Sequence, residues 1–388
     1  MAKAYRLSAK ENHHPARVGE SIDYPFLFLL LLLLTMGLLM LWSASFPQSE
    51  YDSNYTDAGR YFRKQALCGV IGIAAMVIFS RIPAGLWYRL AWPLYGASIV
   101  LLLSVLVIGQ EVNGAKRWIN IAGIQFQPSE VAKFAQILLF ARLTRHFGPE
   151  AKTFRFGVMG FGLALLGILI PLALEKHLSA IMLMGMVAVV MMFVAGTRMK
   201  WLLAGAVAAV IFVIIYISFM GYAGDRVTAW LHPERDPGDT GYQILQSLYA
   251  IGSGGLFGLG WGKSRQKYLY LPFQYNDYIF AVCCEELGLV GALGIAALFA
   301  LLIIRGYWIA LRARDRFSTV LAAGLITLIA VQTILNLGVV TNLLPSTGIA
   351  LPFFSYGGTA LAVNLGEMGI LLSISRQQNI RKTQEVST

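Results

Sequence analysis

The sequence predicts an all-α fold: a polytopic membrane protein of about ten transmembrane helices, with one large extracytoplasmic loop between the seventh and eighth. Three observations lead there. Of 388 residues, 57% are apolar and only 13% charged, whereas soluble domains carry roughly 25% charged residues. The apolar residues fall in runs long enough to cross a ~30 Å hydrocarbon core. The formal charge of +11 is spread between those runs rather than gathered in a patch, so topology accounts for it and nucleic acid is not an expected partner.

The elements follow in order. Residues 1–24 form a polar tail, 25–376 the membrane domain and 377–388 a second tail. The first apolar run, Pro25–Phe46, exceeds the ~7–15 residues of a signal-peptide core, so it reads as a retained span. Further runs lie near 65–82, 91–108, 130–147, 156–174, 178–196, 200–220, 278–304, 317–341 and 353–375. The fourth and tenth carry internal polar residues. The 221–276 loop holds a turn-rich stretch, His232–Asp239, then Tyr242–Ile251 with Ile244, Leu245, Leu248 and Ile251 at helical spacing. That pattern predicts a short amphipathic helix lying on the membrane surface.

Placing the amino terminus inside puts well over half of the Lys and Arg residues on the cytoplasmic side, which makes both termini cytoplasmic. The basic residues left outside oppose that rule. Lys116, Arg117, Lys263, Arg265 and Lys267 suit either anionic lipid head groups or an anionic ligand such as a lipid diphosphate. The three cysteines, Cys68, Cys283 and Cys284, sit in apolar runs without metal spacing and read as packing residues.

Four constellations could carry chemistry. Asp277 closes the polar loop and opens the eighth span, a carboxylate near the depth where water meets lipid. The segment before the fourth span reads as a loop with a turn at Asn113-Gly114. It is followed by Gln127-Pro-Ser-Glu130 and Lys133, with Ser129 as the expected N-cap and Glu130 favoured by the helix dipole. Glu130 and Lys133 are i, i+3 and share a face. A charge pair at that depth belongs in the bundle interior, as a structural ion pair or a substrate contact. Gly252–Gly262 lets the backbone bend close to a ligand or a membrane surface. Pro345–Thr359, uncharged and rich in Pro and Gly, enters the last span as a pore wall or a packed re-entrant turn. Two decoys fail: Ser129 and Lys133 miss the S-x-x-K spacing, and Gly258–Ser264 lacks the first P-loop glycine, Phe257 standing there.

Asn113-Gly-Ala-Lys-Arg-Trp118, Phe126-Gln-Pro-Ser-Glu130 with Lys133, Asp277-Tyr-Ile-Phe-Ala281 with Glu285-Glu-Leu-Gly288, and Pro352-Phe-Phe-Ser-Tyr-Gly-Gly358 together resemble the SEDS family, the FtsW/RodA/SpoVE group, over about residues 25–376. The resemblance implies ten spans and polymerisation of lipid II, the undecaprenyl-diphosphate-linked precursor, into glycan at the outer face of the bacterial cytoplasmic membrane. It makes Asp277 the general base. It implies substrate contacts for Lys116, Arg117, Trp118, Gln127, Ser129, Glu130, Lys133, Lys263, Glu286 and Ser355, with Arg117 and Lys133, joined by Lys116, balancing the departing diphosphate. A class B penicillin-binding protein is the implied partner, and a divalent cation, Mg2+ or Mn2+, the conceivable cofactor. The chain departs from the family pattern at Pro272-Phe-Gln-Tyr-Asn-Asp277, where many members read Pro-Glu-x-His-Thr-Asp. The same cavity would also serve a lipid II flippase or a noncatalytic scaffold for a penicillin-binding protein.

Overall fold

The computed structural model describes residues 21–112, 115–121, 124–205, 207, 229–235 and 240–386. It is a helical bundle. Its helices are α1 (Tyr24–Asp52), α2 (Arg60–Phe79), α3 (Ala84–Ile108), α4 (Pro128–Phe147), α5 (Phe161–Leu174), α6 (Leu178–Val194), α7 (Thr240–Gly254), α8 (Ile279–Leu311), α9 (Arg316–Val340) and α10 (Thr359–Val386). Helix therefore overlies every expected span except the seventh. There residues 199–205 are helical, and most of 200–220 lies outside the described residues. Among the described residues six helices have the length and apolarity to cross a membrane, which makes the chain a multi-pass membrane protein. The expected surface helix is α7, a little longer than its apolar pattern.

Burial sorts the helices into layers. In α9, 83% of the apolar window is buried, against 28% for α2, α3 and α8, so α9 is the central post and the others face lipid. Packed around α9 are α4, α6, α8 and α10. Its interior carries Gln332, Thr333 and Asn336, and buried polar groups there need partners.

One end of the bundle is pinned by charge. Asp23 caps α1 by accepting from the Phe26 N–H at 3.0 Å, and its carboxylate pairs with Arg305 of α8 at 2.9 Å. The Asp23 N–H donates to Ser375 Oγ at 3.2 Å, so the start of α1 and the ends of α8 and α10 share one face. At ~1.5 Å per residue the other end of α8 lies some 40 Å from Arg305, and Asp277 is there.

Two expectations change. The segment before α4 is no loop but a three-stranded antiparallel sheet, β1 (Gln110–Val112), β2 (Ala115–Ile121) and β3 (Ile124–Phe126). It pairs Gln110 with Trp118 and Ile119 with Phe126. The alternation Trp118-Ile-Asn-Ile121 is the period-2 signal of a strand. The expected turn at Asn113-Gly114 falls outside the described residues. The last helix starts at Thr359 rather than 353, because Phe353 takes a left-handed φ of 66°, incompatible with a right-handed helix.

Candidate active site

Asp277 stands two residues before α8, half-buried, and three backbone carbonyls around it are fixed by other elements. Ser355 Oγ donates to Asn276 O at 2.7 Å. Asn336 of the central post donates to Asp277 O at 2.7 Å and to Ile349 O at 2.8 Å. The Tyr356 N–H donates to Tyr275 O at 2.9 Å. The 345–358 segment is thus a packed re-entrant turn that grips the loop carrying the carboxylate. It approaches closely: a Cβ on Gly348 (φ +67°) would sit 3.4 Å from Asp277 Oδ2.

Tyr275 and Asn276, which replace the family's His-Thr, have structural work. The Tyr275 ring stacks on Tyr61 at 4.7 Å and meets Tyr356 edge-on at 5.9 Å. Burial raises the Tyr275 hydroxyl, the Tyr61 hydrogen bond works against that, and Asp52 and Asp277 raise it further. Tyr275 therefore remains a neutral phenol beside the carboxylate.

A second cluster gathers at the mouth of α4. Lys133 and Glu130 form the expected ion pair at 2.7 Å, 5% and 7% exposed, inside the bundle as the cost of a lone charge demands. Arg117 on β2 donates to Lys176 O at 2.5 Å, in the α5–α6 turn. Its neighbours Glu175 and His177 are buried. Burial pushes the Glu175 carboxyl up to about 8, with Arg117 pulling the other way. The His177 imidazole is driven down to about 3 by burial first, then by Arg117 and Lys133, which leaves it neutral. The two clusters meet through α6, where Ser179 Oγ donates to Thr347 O, next to Gly348.

The linkage has a consequence. Glu175 takes up its proton near 4.5 unfolded and about 8 folded, so its stabilisation is full below the first value and is lost as pH rises through the second. His177 acts oppositely, but only below its ordinary value of 6.5. Melting temperature in detergent is therefore expected to fall between about pH 6.5 and about pH 8 and to level off above, and Glu175→Gln to flatten the fall. Equal slopes would contradict the assignment.

Glu285 and Glu286 anchor the loop. Glu286 accepts from Lys267 Nζ at 2.8 Å, from Ser43 Oγ at 2.6 Å and from the Ser264 N–H at 3.3 Å. Glu285 accepts from Ser264 Oγ, from the Arg265 N–H at 3.0 Å and from the Gln266 N–H at 3.2 Å. Lys267 is 2% exposed; it is not the outward-facing base expected from sequence but half of a buried ion pair. Gly288 breaks the helical geometry of α8 (φ 67°, ψ −171°), and a Cβ there would meet Gly258 N at 2.2 Å. Gly288→Ala is expected to cost at least about 1–3 kcal/mol from the forbidden φ alone, read as a lower melting temperature; unchanged melting would contradict this.

The remaining expected residues are placed as follows. Lys116 is exposed, and Trp118 and Gln127 are half-buried. Gln127, not Ser129, is the N-cap, since the helix starts at Pro128, two residues early; Ser129 is buried inside the first turn. Lys263 is exposed beside Arg265, Tyr268 and Tyr270 on an open groove, on the anchored loop. Glu286 and Ser355 spend their oxygens on protein partners. Three residues escaped the sequence reading: Glu175, His177 and Glu367. The signal was present, since Glu-Lys-His interrupts two apolar runs and Glu367 is the acid within the last. Among the described residues no three His, Cys, Asp or Glu side chains come together as a metal-binding group.

A family model, "Cell cycle protein" (FtsW, RodA, SpoVE), matches residues 24–380. A probable peptidoglycan glycosyltransferase FtsW of Geobacter metallireducens is 39% identical over 359 residues, 92% of this chain and 95% of that protein. Stage V sporulation protein E of Bacillus subtilis is 39% identical over 92% of this chain and 97% of its own. Peptidoglycan glycosyltransferase MrdB of Escherichia coli K12 is 38% identical over 91% and 93%. Among solved structures, a chain of a peptidoglycan synthase complex superposes with a TM-score of 0.78 at 28% identity. The rod shape determining protein RodA of Thermus thermophilus gives 0.68 at 27%. Each match covers 92% of this chain and 98% of the other.

Proposed function

As a member of the FtsW/RodA/SpoVE family, and hence a peptidoglycan glycosyltransferase, this chain, we propose, polymerises lipid II at the outer face of the cytoplasmic membrane, both termini inside, with Asp277 as general base. The observation that carries the reading is the mounting of Asp277. It is a half-buried carboxylate whose backbone is held from the central helix and from the re-entrant turn, linked through Ser179 of α6 to the cluster that holds Arg117 and Lys133.

The steps balance. The acceptor's sugar 4-hydroxyl attacks the donor's anomeric carbon, a C–O bond forms, and the hydroxyl proton passes to the Asp277 carboxylate. The bond from the anomeric carbon to phosphate breaks, and undecaprenyl diphosphate leaves with the electron pair. Arg117 and Lys133 are the cations we assign to balancing that charge. Mg2+ or Mn2+, if it takes part, would be carried in by the diphosphate oxygens rather than held by a cage of side chains. The likeness to a chain of a peptidoglycan synthase complex supports a class B penicillin-binding protein as the partner.

The test supplies labelled lipid II to the purified protein, alone and with that partner, with a penicillin present. Glycan made by the wild type and not by Asp277→Ala, with lipid II binding retained, is the expected result. Lipid scrambling without polymer would instead identify a flippase, and no reaction in any arm a scaffold.

A further inference from the structure

Helix α10 buries an acid that the mechanism above does not use. Glu367 is 2% exposed, and neither of its carboxylate oxygens has a hydrogen-bond partner. An acid so placed is costly in any apolar interior, and inside a membrane bundle such groups mark function. One helical turn earlier on the same face, Asn364 is 5% exposed with its own amide oxygen unsatisfied. Helix α10 contacts α4, and after burial itself the influences on Glu367 are Lys133 and Glu130 of that helix.

Lys133 has three N–H donors, and Glu130 takes one of them at 2.7 Å. Glu130 lies one turn nearer the outer start of α4, where a diphosphate would arrive. Two anions cannot share that position without repulsion. As the diphosphate takes up Lys133, the hold of Glu130 weakens, and a buried N–H donor of the ammonium then needs another acceptor.

We propose that Glu367 is a positioning residue, a second hydrogen-bond acceptor that keeps the Lys133 ammonium directed at the diphosphate when Glu130 is displaced. This rests on the reading of Lys133 as a diphosphate contact. Glu367 itself touches neither substrate nor reacting atoms. Its effect falls on the step in which negative charge grows on the leaving group, and so on kcat rather than on KM.

The experiment is a double-mutant cycle on the purified full-length protein with lipid II. Lys133→Ala, Glu130→Gln, Glu367→Gln and the Glu130→Gln/Glu367→Gln pair are compared in kcat and KM. Glu367→Gln is expected to lower kcat several-fold with KM unchanged, and Glu367→Asp to recover most of the loss. The pair is expected to fall at least about tenfold below the product of the single effects, as for two groups sharing one partner. A wild-type kcat in Glu367→Gln, or a simple product in the pair, overturns the proposal. If Glu367→Gln does not fold, Glu367→Ala decides: a lower kcat at constant KM, largely restored in Glu367→Asp, supports the role and an unchanged kcat refutes it. Full activity of Lys133→Ala would instead remove the diphosphate reading beneath it, an outcome distinct from a spectator Glu367.

Discussion

Lys267→Ala is expected to destabilise the protein by about 3–5 kcal/mol, because it leaves the Glu286 carboxylate buried and uncompensated. Glu286 is 1% exposed and bonded to Lys267, Ser43 and Ser264, so no water replaces the lost ammonium. A typical domain is stable by only about 5–15 kcal/mol, and the loss therefore approaches the whole reserve. The damage should be local first. The anchor ties 255–271 to α8, with the Leu259 and Gly260 N–H groups on Glu285 O and Glu286 O at 3.0 Å, and Leu289 N on Gly255 O at 2.9 Å. Beneath it lie Cys283 and Cys284, 0% and 5% exposed. Faster maleimide labelling of these thiols, with lower melting temperature, is the expected observation. A Lys267→Met/Glu286→Gln pair should recover part of the loss, since it buries no lone charge. Wild-type labelling and melting in Lys267→Ala would show that the pair holds nothing.

How far the sequence spoke depends on the kind of signal. Long apolar runs speak for themselves, and the helices lie where those runs lie. The Glu130–Lys133 pair was legible because an i, i+3 spacing fixes geometry locally. Lys267 was misread because its partners, Glu286 and Ser43, lie 19 and 224 residues away. Sidedness alone makes any such lysine look like a surface charge. The β2 strand was hidden by its length and by the glycines at 114 and 123, which look like loop. Ser355 and Asn336 illustrate a further limit. Each positions Asp277 by gripping a backbone carbonyl, and a carbonyl leaves no mark in the sequence. Glu175, His177 and Glu367 were visible as polar residues in apolar company, but their meaning depends on Arg117 and Lys133 arriving from other elements.

Asp277→Asn is the second large effect. Asparagine preserves shape and the backbone clamps, since Asn336 and Ser355 hold carbonyls rather than the carboxylate. It removes the negative charge and with it the capacity to take a proton, and a positioned general base is worth about 10²–10⁴-fold. The cations that would meet the diphosphate, Arg117 and Lys133, belong to β2 and α4 and are untouched, so lipid II affinity should hold while turnover collapses. The most direct measurement is kcat and KM of purified wild type and Asp277→Asn on lipid II, with penicillin present and melting temperatures matched. A kcat lowered by about 10²–10⁴-fold at constant KM is the predicted result, and a variant that polymerises lipid II at the wild-type rate would contradict it.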